Sequence, residues 1–331
     1  MNFYNLDMHI SIIQDVRTIF SQIGHTVKSD NLSSHTWVNG EKTSANKVIN
    51  QRNFREIDEK TCERFYKKYR KELNKFDAFV HSYPPVFALL FERFEKPIIT
   101  IACTRFDFPV NERNFDWYTT RLQGMKKSGQ LIPVANNLLD KRICEDYLDF
   151  EWQHISSLCD YMPTTYNQAS EKFLLWTRSQ LEPQDLSPRI EKEFSISARY
   201  DRNTISQFSG VIHIPYNLSI MSAFEQYYQN IPMMFPSIRL QQQLWNDRED
   251  MLSEILFPES NLEADSSWVG LADWYDDSNM SDLVYFDSLE SIDEILRNTD
   301  FESVSSRMQQ QNVLRKERIM RQWEVLIEAI S

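Results

Sequence analysis

The chain has 331 residues, enough for two cores where single domains usually hold about 100–200. Its 41% apolar, 13% aromatic and 25% charged residues exclude a disordered or fibrous chain. A net charge of −12 argues against nucleic acid as a partner, because phosphate binding needs clustered lysine and arginine.

From the start, residues 2–6 read as a short strand. Residues 10–24 have helical apolar spacing closed by Gly24. The polar residues Asp7, His9, Gln14, Asp15 and Arg17 leave the first twenty positions neither a signal-peptide core nor a membrane span, so a cytoplasmic chain is expected. A second strand is expected near residues 26–28, then a polar stretch to about Asp58 and a charged helix over 59–73. The run Lys67, Lys68, Arg70 and Lys71 reads as the solvated face of that helix. Residues 76–81 form a buried strand, 85–94 a helix, and 96–102 a further strand, with 130–135 and the region around 152–161 continuing the rhythm.

A second half begins at residues 173–176. It continues through an interior strand at 210–214, a helix at 219–229, strands at 231–235 and 283–286, a helix at 291–296 and a helical end from 301 to 330. In that last helix Met308, Val313, Leu314, Ile319, Trp323, Val325 and Leu326 are available for burial. Alternating strands and helices imply parallel pairing, hence an α/β chain of two Rossmann-like, doubly wound halves. Such halves bind ligands at the carboxyl ends of their strands, which makes a cleft between them the expected site. Four cysteines without CxxC spacing, Cys62, Cys103, Cys144 and Cys159, suggest neither zinc nor a disulfide scaffold.

With six glycines there is no GxGxxG or GxxxxGK[ST] fingerprint, so any phosphate must be held differently. A helix N-terminus after strand 211–214 offers unpaired N–H groups, to which Ser219 and Ser222 can add hydroxyl donors for a diphosphate. Glu225, one turn deeper, is placed to accept from a ribose diol. The plain alternative is an N-cap serine and a solvated glutamate.

The stretch His213-Ile-Pro-Tyr-Asn-Leu-Ser-Ile-Met-Ser-Ala-Phe-Glu225, with Ile231-Pro-Met-Met-Phe-Pro236 after it, resembles the donor site of GT-B glycosyltransferases. Residues 305–323 resemble the C-terminal helices of exostosin-like members, which cross back to the first domain. Residues 5–9 and 104–107 resemble glycosyltransferases of large DNA viruses of algae, the chloroviruses. Asn230 stands where the family commonly has glycine.

The resemblance implies an N-terminal acceptor domain over residues 1–165, a donor domain over 166–305 and a returning helix over 306–331. It implies a nucleotide-diphosphate sugar as co-substrate, UDP-linked and with xylose as one possible sugar, no other cofactor, a glycan or glycoprotein acceptor, and, for a viral chain, the host cytoplasm. Donor contacts fall on Tyr216, Asn217, Ser219, Ser222 and Glu225, with Arg178 as the phosphate fork.

Inverting transfer needs a general base from the first half. Asp7 or His9, after strand 2–6, is the expected base, and the alternative is that Asp7 caps the helix and His9 packs behind it. His81, Arg105 and Asp107 are acceptor-side positions. No metal is expected, although Asp273, Asp276 and Asp277 cluster. Trp117, Tyr118, Trp274 and Tyr275 serve either as sugar platforms or as core. No GxSxG elbow suggests a serine hydrolase. A nucleotide-sugar epimerase of the same architecture and a non-catalytic glycan- or nucleotide-binding protein are the competing readings.

Overall fold

The computed structural model describes residues 1–36, 40–103, 106–107, 110, 112–177, 181–182, 186–192, 202–247 and 266–331. Its chain divides into two compact units. The first holds residues 1–157 and 319–331, and the second holds residues 158–256 and 264–318 so far as these are described.

The first unit is a six-stranded parallel sheet in the order β2-β1-β3-β4-β5-β6. Its strands are β1 (Asn2–Asp7), β2 (Thr26–Asn31), β3 (Ala78–His81), β4 (Ile98–Ala102), β5 (Leu131–Ala135) and β6 (Gln153–His154). Strands β3 and β4 are buried at every residue, as interior strands covered on both faces must be, and this is why they are apolar except at His81 and Thr100. Helix α1 (Ile10–Gln22) ends before Gly24, whose φ of 82° is the left-handed value a glycine takes without strain. Helix α2 (Glu59–Leu73) starts where the Asp58 carboxylate accepts the Thr61 N–H at 2.8 Å, and Lys67, Lys68, Arg70 and Lys71 lie exposed on it.

Residues 85–94 are not one helix. A 3₁₀ turn (Pro85–Phe87), a single turn α3 (Ala88–Phe91) and a second 3₁₀ turn (Glu92–Phe94) follow each other, ended by Glu95 at a left-handed φ of 54°. Helices α4 (Glu112–Lys127) and α5 (Leu138–Leu148) had no counterpart in the sequence reading. Their buried apolar side chains are Tyr118, Leu122 and Met125 in α4, and Leu139, Ile143, Cys144 and Leu148 in α5.

The second unit carries a five-stranded parallel sheet, order β11-β10-β9-β7-β8. Its strands are β7 (Phe173–Thr177), β8 (Ile190–Lys192), β9 (Gly210–Ile214), β10 (Met233–Pro236) and β11 (Val284–Phe286). The period-2 alternation of strands sorts this unit into two cores. Phe173, Leu175, Ile212, Ile214 and Met234 pack on one face, and Leu174, Trp176 and Val211 on the other. Two covered faces define a doubly wound sheet. Around it lie α6 (Arg202–Ile205), α7 (Met221–Tyr228), α8 (Ile238–Asp247) and α9 (Ile292–Asn298).

Helix α10 (Phe301–Glu328) belongs to the second unit up to Arg318 and to the first from Ile319 on. Met308, Ile319, Trp323 and Leu326 are buried along it as expected, whereas Val313, Leu314 and Val325 are 58%, 60% and 47% exposed. The buried stripe runs instead through Asn312 and Arg315, so two polar residues take places that hydropathy assigns to apolar ones.

The four cysteines are all buried thiols without disulfides. No helix among the described residues is long and apolar enough to cross a membrane.

Candidate functional site

In the first unit the carboxyl end of β1 is held by one side chain. Asp7 is 0% exposed, and its Oδ1 accepts the N–H groups of Met8, His9 and Tyr83 at 2.8, 3.0 and 3.2 Å. Its Oδ2 accepts the Ser82 N–H at 2.6 Å and the Ser82 hydroxyl at 2.7 Å. Burial raises its pKa to about 6, and these hydrogen bonds pull the other way. Asp7 therefore knits the loop after β3 to the loop after β1. As the acceptor of five donors it is poorly placed to take a substrate proton.

His9 follows as the residue preceding α1, half-buried, with Nδ1 buried and unpartnered. Its ring meets Tyr83 edge-on, with centroids 6.4 Å apart. Burial, with a smaller repulsion from His35, lowers its pKa to about 4, so the imidazole is neutral near pH 7. The Asp7 carboxylate reaches the His9 backbone rather than its ring.

The acceptor-side expectations fare differently. His81 is a core residue, 0% exposed, with Nε2 and the Thr100 hydroxyl 3.1 Å apart and its ring stacked on Phe91. Its last place in a strand suggested a site, but β3 is interior on both faces. Asp107 is likewise 0% exposed, its carbonyl accepting the Val110 N–H at 2.9 Å. Arg105 lies outside the described residues, as does Arg178.

In the second unit β9 gives way to a turn in which Tyr216, Asn217 and Ser219 are half-buried. The Asn217 side chain accepts the Leu218 N–H at 2.7 Å, fixing the turn. The helix starts at Met221 rather than at Ser219, with no side chain capping it, so Ser219 is not an N-cap. Its hydroxyl donates instead to the Asp273 carboxylate at 3.1 Å, a bond it would have to leave before donating to a phosphate. Ser222, half-buried in the first turn of α7, points no such bond at Asp273.

Glu225 is buried, 8% exposed, and not the solvated glutamate of the alternative reading. Its Oε1 accepts the Tyr161 hydroxyl at 2.5 Å. Asn230 adopts the left-handed conformation, φ 62°, that a glycine would take there, and asparagine tolerates it better than most residues. Asn312 of α10 donates to the Asn230 side chain at 2.8 Å and to the Tyr227 carbonyl at 2.6 Å, and Ser305 donates to the Asn230 carbonyl at 2.7 Å. The asparagine thus supplies both the turn and an anchor for α10.

Asp273 is 3% exposed, and no group of metal-holding side chains occurs among the described residues. Tyr118 and Trp274 are core. Two residues the sequence reading missed stand out. Tyr161 lies outside any strand or helix and gave no periodic signal. Gln241, in the first turn of α8, is 0% exposed with neither Nε2 nor Oε1 partnered. A polar residue in a run of three glutamines, Gln241 to Gln243, carries no apolar signal of burial.

No protein-family model matches the chain, and no curated protein matches it. Among solved structures, the glycosyltransferase of kitacinnamycin is similar with a TM-score of 0.51 and 11% identity, covering 100% of this chain and 99% of that chain. The calicheamicin glycosyltransferase CalG4 gives 0.44 and 10% over 100% and 99%. SnogD from Streptomyces nogalater gives 0.46 and 10% over 94% and 94%. The last two similarities are too low to carry an argument, and at such identities the first shows fold alone. That fold is GT-B, in agreement with the two parallel α/β sheets.

Proposed function

We propose that this chain is a glycosyltransferase that moves a sugar from a nucleotide-diphosphate sugar to a hydroxyl of a glycan acceptor, with inversion and without a metal. The observation that carries the reading is His9: a neutral imidazole, unpartnered at Nδ1, at the carboxyl end of β1 in a GT-B unit. His9 takes the acceptor hydroxyl proton as the acceptor oxygen bonds to the anomeric carbon. The bond from that carbon to the diphosphate breaks, and the electron pair leaves with the diphosphate. Asp7, offered by the sequence as an equal candidate for the base, becomes the residue that fixes the His9 backbone.

On the donor side the turn Tyr216 to Ser222 and the α7 N-terminus receive the diphosphate, and Glu225 receives the ribose diol. Arg178 remains the proposed phosphate fork. A UDP-linked donor, with UDP-xylose among the candidates, and kinship with exostosin-like and algal-virus enzymes rest on the sequence resemblance.

A thermal-shift panel of nucleotide sugars tests the reading, since a ligand at one hundred times its dissociation constant stabilises by about 2.7 kcal/mol. The expected result is one stabilising donor, consumed with release of nucleoside diphosphate when an acceptor is added, in EDTA as well as without it. Isomerisation of the donor without acceptor would identify an epimerase instead.

A further inference from the structure

Tyr161 is the residue whose position the assigned roles leave unexplained. The segment that carries it is bound to α7 and α10 on both sides of the tyrosine. Lys316 pairs with Asp160 at 2.6 Å, Gln229 donates to the Thr164 hydroxyl at 2.9 Å, and the Tyr166 N–H donates to the Gln229 carbonyl at 2.7 Å. Cys159 turns the chain at a left-handed φ of 63°, with the Met162 N–H on its carbonyl at 3.1 Å. The tyrosine is therefore delivered from a braced backbone, and its hydroxyl meets Glu225 Oε1 at 2.5 Å. A bond from a hydroxyl to a carboxylate is among the stronger neutral–ion contacts.

We propose that Tyr161 is a positioning residue for the donor nucleotide, fixing the plane of the Glu225 carboxylate so that it takes both hydroxyls of a ribose. This rests on the proposed role of Glu225 as the ribose acceptor. The terminal torsion of a glutamate is broad and roughly two-fold, so nothing in the side chain itself selects one plane. A diol donates two hydrogen bonds in a fixed relation and gains the second only if that plane is set beforehand. A carboxylate has about four lone-pair sites, which accommodates the tyrosine together with a diol. A 2′-deoxy nucleotide forms one of the two bonds and depends less on the plane. Tyr161 thus acts on the discrimination between ribose and deoxyribose more than on binding as such.

The test uses the full chain and calorimetric titration with UDP, GDP and ADP, followed by the 2′-deoxy counterpart of the tightest binder. Wild type should prefer the ribonucleotide by about tenfold, the worth of one hydrogen bond to a charged group. Tyr161→Phe should weaken the ribonucleotide by about tenfold, leave the deoxynucleotide nearly unchanged and so compress the ratio. In a Glu225→Ala background, Tyr161→Phe should add no further loss.

Equal weakening of both ligands would make Tyr161 merely structural. Tighter ribonucleotide binding by Tyr161→Phe would mean that the hydroxyl competes with ribose, and loss of cooperative melting would make it a folding contact; each overturns the proposal. If wild type binds a ribonucleotide without discrimination, this inference fails while the transferase reading stands. If it binds none of the three diphosphates, both fail.

Discussion

Five hydrogen bonds converge on the two oxygens of Asp7, and they separate two variants that look alike in sequence. Asp7→Asn keeps the shape, but its amide nitrogen is a donor facing backbone N–H groups that are donors too. The folded state should lose about 3 kcal/mol, measured as a fall in the urea midpoint, because buried donors are left unmet. His9→Ala leaves the Asp7 net in place and should lower turnover by about 10²–10⁴-fold with little change in the midpoint. Full activity of His9→Ala would place the base elsewhere. The sequence could show that Asp7 and His9 stand where reactive groups belong. It could not show that one carboxylate is saturated by donors 75 and 76 positions away, because Ser82 and Tyr83 reach it only through the β1–β3 pairing.

Legibility at the level of elements followed the density of the apolar signal. Strand β9 and helix α2 matched the expected residues 210–214 and 59–73 because the strand is β-branched and apolar apart from Gly210 and His213 and the helix begins after a capping aspartate. Helices α4, α5 and α8 were missed because their few buried apolar residues are interleaved with polar and charged ones, some of which are buried too. The small element β8 (Ile190–Lys192) has one buried residue and gave no signal either. One glycine tests the packing of the second sheet. A Cβ on Gly210 would lie 2.8 Å from the Pro232 carbonyl oxygen and 3.2 Å from the Phe173 ring, and that carbonyl accepts the Val211 N–H in the ladder. Gly210→Ala should therefore cost about 1–3 kcal/mol through a forced shift of β10, read as a lower melting temperature. An unchanged melt would show that β10 yields without loss.

Each unit encloses a neutral imidazole, and this sets how the whole molecule responds to acid. His81 in the first unit and His213 in the second are 0% exposed, and burial lowers their pKa values to about 3 and about 4, with a smaller upward effect at His213 from Gln226, 2.7 Å from Nε2. His9 adds a third, at about 4. Unfolded imidazoles protonate near 6.5, so below that pH the unfolded chain binds protons that the folded chain refuses, and stability falls as pH falls. At pH 5 each of the three histidines should have withdrawn about 2 kcal/mol relative to pH 7.

Asp7 works in the opposite direction. Its folded pKa of about 6 lies above the ordinary aspartate value, so the folded state gains a proton first and recovers about 1 kcal/mol at pH 5. Glu41, where the upward push of burial is outweighed by Arg17, Asn31 and Gln14 together, and Asp58, held down by Thr61, lose their contribution only below about 4.5 and 3.8, outside this window. The net expectation is a loss of about 4–5 kcal/mol between pH 7 and 5, a large share of the 5–15 kcal/mol that folded proteins usually have. Urea titrations at half-unit intervals measure it, and His81→Phe should flatten the slope by about two fifths, because it removes about 2 kcal/mol of that net loss while the opposing Asp7 contribution stays. A flat or rising midpoint toward pH 5 would mean that the buried imidazoles take up protons without unfolding, and that water reaches them inside the intact sheets.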